Sequence, residues 1–195
     1  MREYDGGRFL LCLSEEYDGK NGSALLMECA RRFCGARRAV CPGEETLRRT
    51  PGGKPYFDFP GAPRFSVSHS GGVWGCALSA QRVGFDLERV RERDWQAVAA
   101  RFFHPHERDF ALAGGEAAFF TLWTAKESYV KYLGTGIDES FSSFCLAHGG
   151  MISGDALGVS FVWPPAPEEY YACVCVVAER AAILNVHQNL SAAMP

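Results

Sequence analysis

Hydrophobic and polar positions divide this chain into short segments of two different periods. Apolar residues fill 9–13, which predicts a strand over 8–13. Leu25, Leu26, Cys29, Ala30 and Phe33 recur at the helical period and predict a helix at about 23–34, followed by a basic connection. Alternation returns in FSVSHS at 65–70, so strands are expected at about 64–69 and 73–80, joined over Gly71 and Gly72. A further alternating run, VGFDLE at 83–88, predicts a strand over 83–90. Helices follow at about 94–103, 105–113 and 116–133, the last ended by Gly134, and strands near 142–147, 157–163 and 169–178 close the chain.

Strand, helix and hairpin thus occur twice, which gives an α+β fold class. Identity between the halves is too low to establish an internal repeat. The junction falls near 81–83, dividing the chain into 1–82 and 83–195. No Pro/Ser-rich or charged spacer lies there, so the junction reads as a structural division rather than a flexible linker.

Composition narrows the class. With 195 residues, 47% of them hydrophobic, the chain can bury a substantial core and is not a disordered tail. No stretch of about 18 uncharged apolar residues occurs, and the N-terminal apolar run has no cleavage-like pattern, so a soluble cytoplasmic protein is expected. The eight cysteines form no CxxC, and several lie among apolar neighbours, which favours buried free thiols over disulfides or zinc. His104 and His106 flank Pro105 at a helix start and read as capping residues.

Charge is uneven along the chain. Residues 1–82 carry 12 basic and 9 acidic side chains, whereas 83–195 carry 8 and 14. Seven cations, Arg31, Arg32, Arg37, Arg38, Arg48, Arg49 and Lys54, crowd 31–54 against Glu44 and Glu45. They form either a solvated basic face or one that steers a polyanionic cofactor or an acidic protein. The overall charge of −3 argues against general nucleic-acid binding.

The candidate chemistry lies in two acidic segments. In VGFDLE, Asp86 and Glu88 stand at i and i+2 and leave one face of the strand. In LWTAKESYVK at 122–131, Glu127 sits on a helix beside Lys126 and one turn before Lys131. Three carboxylates suit Mg²⁺, a hard cation that leaves positions open to phosphate oxygens. Taken singly, the pieces also read as the wet face of a strand and an ordinary i to i+4 helix pair. Ser68, His69 and Ser70 offer donors for phosphate at a strand end, or else an ordinary hairpin turn. The Lys54–Pro55 step in GGKPYF is a rigid turn able to hold a nucleotide, or simply a loop.

GGKPYF, FSVSHS, VGFDLE, RFFHPHE at 101–107 and LWTAKESYVK, in that order, resemble the Sfp-type 4′-phosphopantetheinyl transferases over residues ~52 to ~137. The resemblance implies two similar α/β lobes related by a pseudo-twofold axis, in a monomer. It implies Mg²⁺-dependent transfer of the phosphopantetheine arm of coenzyme A to a serine of an apo acyl or peptidyl carrier protein, releasing adenosine 3′,5′-bisphosphate. Asp86, Glu88 and Glu127 match the family's metal ligands, and Ser68 and His69 match residues that contact the coenzyme A phosphates. Lys54 and Pro55 match the turn beside the adenine, and Lys126 and Lys131 match the lysines of the KE-xxx-K signature. Glu127, directly or through a water, is expected as general base, with both lysines stabilising phosphate charge. Many family members add a lysine-rich N-terminal helix that meets the 3′-phosphate, whereas only Lys20 precedes the first helix here. Arg31, Arg32 or the pair at 37–38 is expected in its place. Two other classes stay open, a catalytically silent coenzyme A-binding module and a Mg²⁺-dependent phosphohydrolase. The carrier itself, from fatty-acid, polyketide or nonribosomal peptide synthesis, is not legible in the sequence.

Overall fold

The computed structural model describes residues 1–92, 94–135 and 139–179. The end of the family resemblance near residue 137 and the last part of the second half, 180–195, lie outside them. Two antiparallel sheets form the centre. The first has the order β1 (Arg2–Asp5), β2 (Leu10–Ser14), β6 (Val73–Ser79), β5 (Arg64–Ser70), and the second β10 (Val159–Val162), β11 (Tyr170–Val177), β7 (Val83–Arg89). Both fit the alternation expected of strands buried on at least one face, and the class is α+β.

Side-chain alternation sorts the strands into layers. Leu10 and Cys12 of β2, Trp74, Cys76 and Leu78 of β6 and Phe65 of β5 face α1 (Gly22–Arg37) and pack on its Leu25, Leu26, Cys29, Ala30 and Phe33. The opposite face of the first sheet presents Leu11, Leu13, Val73 and Ala77 to Val83, Phe85, Leu87, Val174 and Val176 of the second. Cys173 and Cys175 then turn outward, into clusters with Trp123, Val130 and Tyr129 of α3 (Pro105–Leu133). The order of layers is helix, sheet, sheet, helix. The core between the sheets belongs to both halves of the chain.

Helices start where their caps dictate. Asp94 accepts from Ala97 N at the head of α2 (Trp95–Phe102). His104 caps α3 in a capping box with Glu107, Pro105 standing in the first turn; of the two histidines read as capping, His104 takes that role, whereas His106 lies inside the helix and donates its backbone N–H to the His104 ring. The two helices expected at 105–113 and 116–133 are one run broken at Gly115, whose φ of 70° only glycine adopts without strain. Gly134 ends α3 in the left-handed conformation.

The strand expected near 142–147 does not form. A 3-10 turn occupies Glu139–Ser142, and only Ala147–His148 (β8) pairs, with Met151–Ile152 (β9). The backbone there is bonded to side chains instead: Leu146 N donates to Glu107 Oε1 and Phe144 O accepts from Lys126 Nζ. The sequence reading also missed β1 and the small β3 (Leu47–Arg49), β4 (Pro55–Phe57) ribbon. All eight cysteines are free; Cys41 is exposed, Cys145 half-buried and the others buried. Among the described residues no helix is long and apolar enough to cross a membrane.

Candidate active site

The site is built where α3 lies directly on β7. A Cβ on Gly84 would stand 1.9 Å from Ser128 O and 2.5 Å from Tyr132 N, so only glycine lets the helix backbone rest there. That contact brings the helical turn from Glu127 to Lys131 over Asp86, two residues along the strand. Val83, Phe85 and Leu87 are spent on the shared core, so Gly84, Asp86 and Glu88 look the other way.

Lys131 Nζ donates to Asp86 Oδ1 at 2.7 Å and to Ser68 Oγ at 2.9 Å, and Ser68 Oγ donates to the same carboxylate oxygen at 2.9 Å. Two residues further along β5, Ser70 Oγ donates to Glu88 Oε2 at 3.2 Å and accepts from Arg89 N. Ser66 Oγ accepts from Phe85 N at 3.0 Å. Three alternate serines of β5 thus hold the neighbouring edge of β7, and two of them orient the acidic pair.

The electrostatics are unbalanced in favour of negative charge. Asp86 is 3% exposed and Glu127 8%, so neither is the water-facing group that an amphipathic strand and helix suggest. Burial pushes the Glu127 carboxyl up to about 7; the Asp86 and Glu88 carboxylates push the same way, against Lys131. Among the described residues Asp86 Oδ2 is buried with no hydrogen-bond partner. No three Asp, Glu, His or Cys side chains among the described residues are gathered into a finished metal-ligating group. The orphaned oxygen, the mutual repulsion and the all-oxygen donor set nevertheless fit a hard divalent cation.

The other residues singled out from the sequence fall in several places. Lys54 Nζ donates to Lys131 O, and Pro55 opens β4; both line a cleft that also includes Lys131 and Ser66. His69 points to the opposite face of β5 from Ser68 and rests its ring on Tyr17, centroids 4.9 Å apart. Arg31 is exposed on α1, across the first sheet from the carboxylates, and Arg32 is held by Glu3 and Glu28. Lys126 is not brought to the cluster. It is fully buried on the other side of α3, donating to Glu107 Oε2 at 2.7 Å and Phe144 O at 2.8 Å. Burial holds its pKa below the ordinary value, against the opposing pull of Glu107. Sequence reasoning missed Gly84, although its place in VGFDLE marks the spot, and missed Glu107, which lies within the quoted RFFHPHE.

Comparison with known proteins bears on the half of the chain that carries these carboxylates. Residues 82–175 match the model of the 4′-phosphopantetheinyl transferase superfamily. Over those residues the chain is similar to that superfamily. The chain is 39% identical over 108 residues to the 4′-phosphopantetheinyl transferase gsp of Aneurinibacillus migulanus, covering 53% of this chain and 44% of the relative. It is 37% identical over 108 residues to psf-1 of Bacillus pumilus, covering 53% and 46%, and 36% identical over 97 residues to Sfp of Bacillus subtilis strain 168, covering 47% and 42%. The chain therefore spans somewhat under half the length of these 4′-phosphopantetheinyl transferases. The matched segment contains Asp86, Glu88, Glu127, Lys126 and Lys131.

Proposed function

We propose that this chain transfers the 4′-phosphopantetheine arm of coenzyme A to a serine of an apo acyl or peptidyl carrier protein. The observation that carries the reading is the buried, unpartnered Asp86 Oδ2 beside a Glu127 carboxyl raised to about 7, within the superfamily segment. Asp86, Glu88 and Glu127 would hold Mg²⁺, which when bound supplies Lewis-acid polarisation of the diphosphate. Lys131, which donates to Asp86, would meet a phosphate oxygen and balance charge developing on the leaving nucleotide. Glu127 accepts the proton of the carrier serine, whose oxygen bonds to the phosphorus bearing the pantetheine arm. The bond from that phosphorus to the bridging oxygen breaks, and adenosine 3′,5′-bisphosphate leaves. Ser68 orients Asp86, and Lys54 with Pro55 forms a wall for the nucleotide.

His69, on the other face of β5, belongs to this reading as a phosphate contact only through a ligand that wraps the strand end. Lys126 acts by fixing α3 rather than by touching phosphate. The same reading takes the two halves, 1–82 and 83–195, as pseudo-twofold lobes of one cytoplasmic, monomeric unit.

Mass spectrometry of purified apo carrier proteins incubated with the chain, coenzyme A and Mg²⁺ tests the proposal. Gain of the phosphopantetheine arm on the carrier serine is expected, with loss of that gain in Asp86→Asn and Glu127→Gln. Cleavage of coenzyme A without any carrier would instead identify a phosphohydrolase, and binding without turnover a silent module.

A further inference from the structure

The eight cysteines differ in what can reach them. Cys12 and Cys76 are register partners on β2 and β6, buried with Cys29 between the first sheet and α1, and Cys173 and Cys175 are buried on β11. Thiols enclosed in apolar surroundings are inert. Cys145 is half-buried, and its Sγ donates to Ala147 O at 3.4 Å. Cys41 alone is exposed, and the end of α1 sets it against a second thiol. Arg38 caps that helix in the left-handed conformation, with φ 52° and ψ 35°, and Ala39 N donates to Cys34 O at 2.9 Å. The chain thus doubles back over the last turn of α1. Pro42, which is buried, anchors the return on the far side of Cys41. The Cys41 and Cys34 side chains interact directly there, Cys34 being 0% exposed.

Cations stand beside the pair. The Arg37 guanidinium lies over the Phe33 ring, 4.0 Å from its centroid, and acts on Cys34, while Arg38 is exposed at the turn. An exposed sulfur in a basic setting, with a second sulfur behind it, is the arrangement of a thiol that reacts and a thiol that resolves. We propose that Cys41 is a site of thiol–disulfide exchange with a low-molecular-weight disulfide, and that Cys34 resolves the adduct into a Cys34–Cys41 disulfide. The Cys41 thiolate attacks one sulfur of the reagent, forming a mixed disulfide and releasing one thiolate. Cys34 then gives up its proton and attacks the Cys41 sulfur, and the second reagent thiol leaves. Two protein thiols are oxidised, and one reagent disulfide is reduced to two thiols. Burial and then the neighbouring Cys41 push the Cys34 thiol up to about 11, against Arg37. Bonding Cys41 removes the like charge that opposes ionisation of Cys34, so the first step eases the second. The product ties the last turn of α1 to the segment that leads into the β3–β4 ribbon.

Incubation of the full chain with glutathione disulfide, followed by acid quenching, alkylation of the remaining thiols and peptide mass spectrometry, tests the proposal. In the wild type, glutathione on Cys41 should be transient and give way to peptides joined through Cys34 and Cys41, while the other six cysteines stay reduced. In Cys34→Ser the adduct on Cys41 should persist. In Cys41→Ser, a change at an exposed position, Cys34 should stay reduced. Dithiothreitol should return both thiols in the wild type. Cys34 is buried, so Cys34→Ala serves as a second variant and thermal melts check that each folds; the wild-type and Cys41→Ser results decide the matter if neither does. A Cys41 adduct as long-lived in the wild type as in the Cys34 variants overturns the proposal, as does oxidation of Cys34 in Cys41→Ser or equal oxidation of the other six cysteines.

Discussion

Glu127 is a carboxyl held in its protonated range by its surroundings, and this has a measurable signature in protein stability. Its folded pKa, about 7, lies above the ordinary value of 4.5, so between those values the folded state keeps a proton that the unfolded chain has released. Stability of the metal-free protein should therefore be greatest below about pH 4.5 as far as this group is concerned, and decline as pH rises through 7. Thermal melts across that window should show the decline in wild type and a flatter profile in Glu127→Gln; parallel profiles would remove the carboxyl from this role. Added Mg²⁺ should raise the melting temperature more at pH 8 than at pH 5, since a cation favours the ionised carboxylates. The residues that meet here were legible in the sequence because two simple periods place them: i to i+2 puts Asp86 and Glu88 on one strand face, and i to i+4 puts Lys131 under Glu127. The same rule separates Lys126 from Glu127, because consecutive helical residues stand about 100° apart. Their adjacency in the KE signature hides a division of labour between a buried strut and a site carboxylate.

At the scale of elements, α3 is held at two points, and each can be loosened separately. Gly84→Ala forces the helix off β7, because a Cβ there would overlap the backbone of Ser128 and Tyr132. The overpacking should cost ~1–3 kcal/mol or more, and activity should fall further than stability because Glu127 and Lys131 shift together away from Asp86. Urea unfolding read beside the carrier assay checks this; full activity in a folded Gly84→Ala protein would refute the idea that the close contact sets the site. Lys126→Met leaves the Glu107 carboxylate buried without its cation and should cost ~3–5 kcal/mol. Near wild-type stability would show that the pair contributes little. This strut is also why one element escaped the sequence reading: residues 142–147 carry a strand-like apolar pattern, yet their backbone groups are taken by Lys126 and Glu107. Periodicity records which side chains are buried, not which backbone groups a distant residue will claim. The elements with strong alternation or helical period, such as α1, β5, β6, β7 and β11, were read correctly to within a few residues. Short β1, β3 and β4 lack that pattern and were not.

Over the whole molecule, the two halves are joined by more than a chain connection. Phe9, Leu11 and Leu13 from the first pack with Val83, Phe85, Leu87 and Val174 from the second, all buried in one cluster. The protein should therefore unfold in a single calorimetric transition, and a fragment ending at residue 82 should show no cooperative melt of its own, having lost the partner for that face. Two resolved transitions would show the halves to be independent. The serine contacts from β5 to β7 have a further effect on how the protein behaves in concentrated solution. Each of these is the outermost strand of its own sheet, the position from which sheets recruit strands of other molecules into aggregates. Ser66 and Ser70 occupy amide groups of Phe85 and Arg89 that such a strand would seek, so the acidic site and the protection of this flank against self-association depend on the same run of hydroxyls.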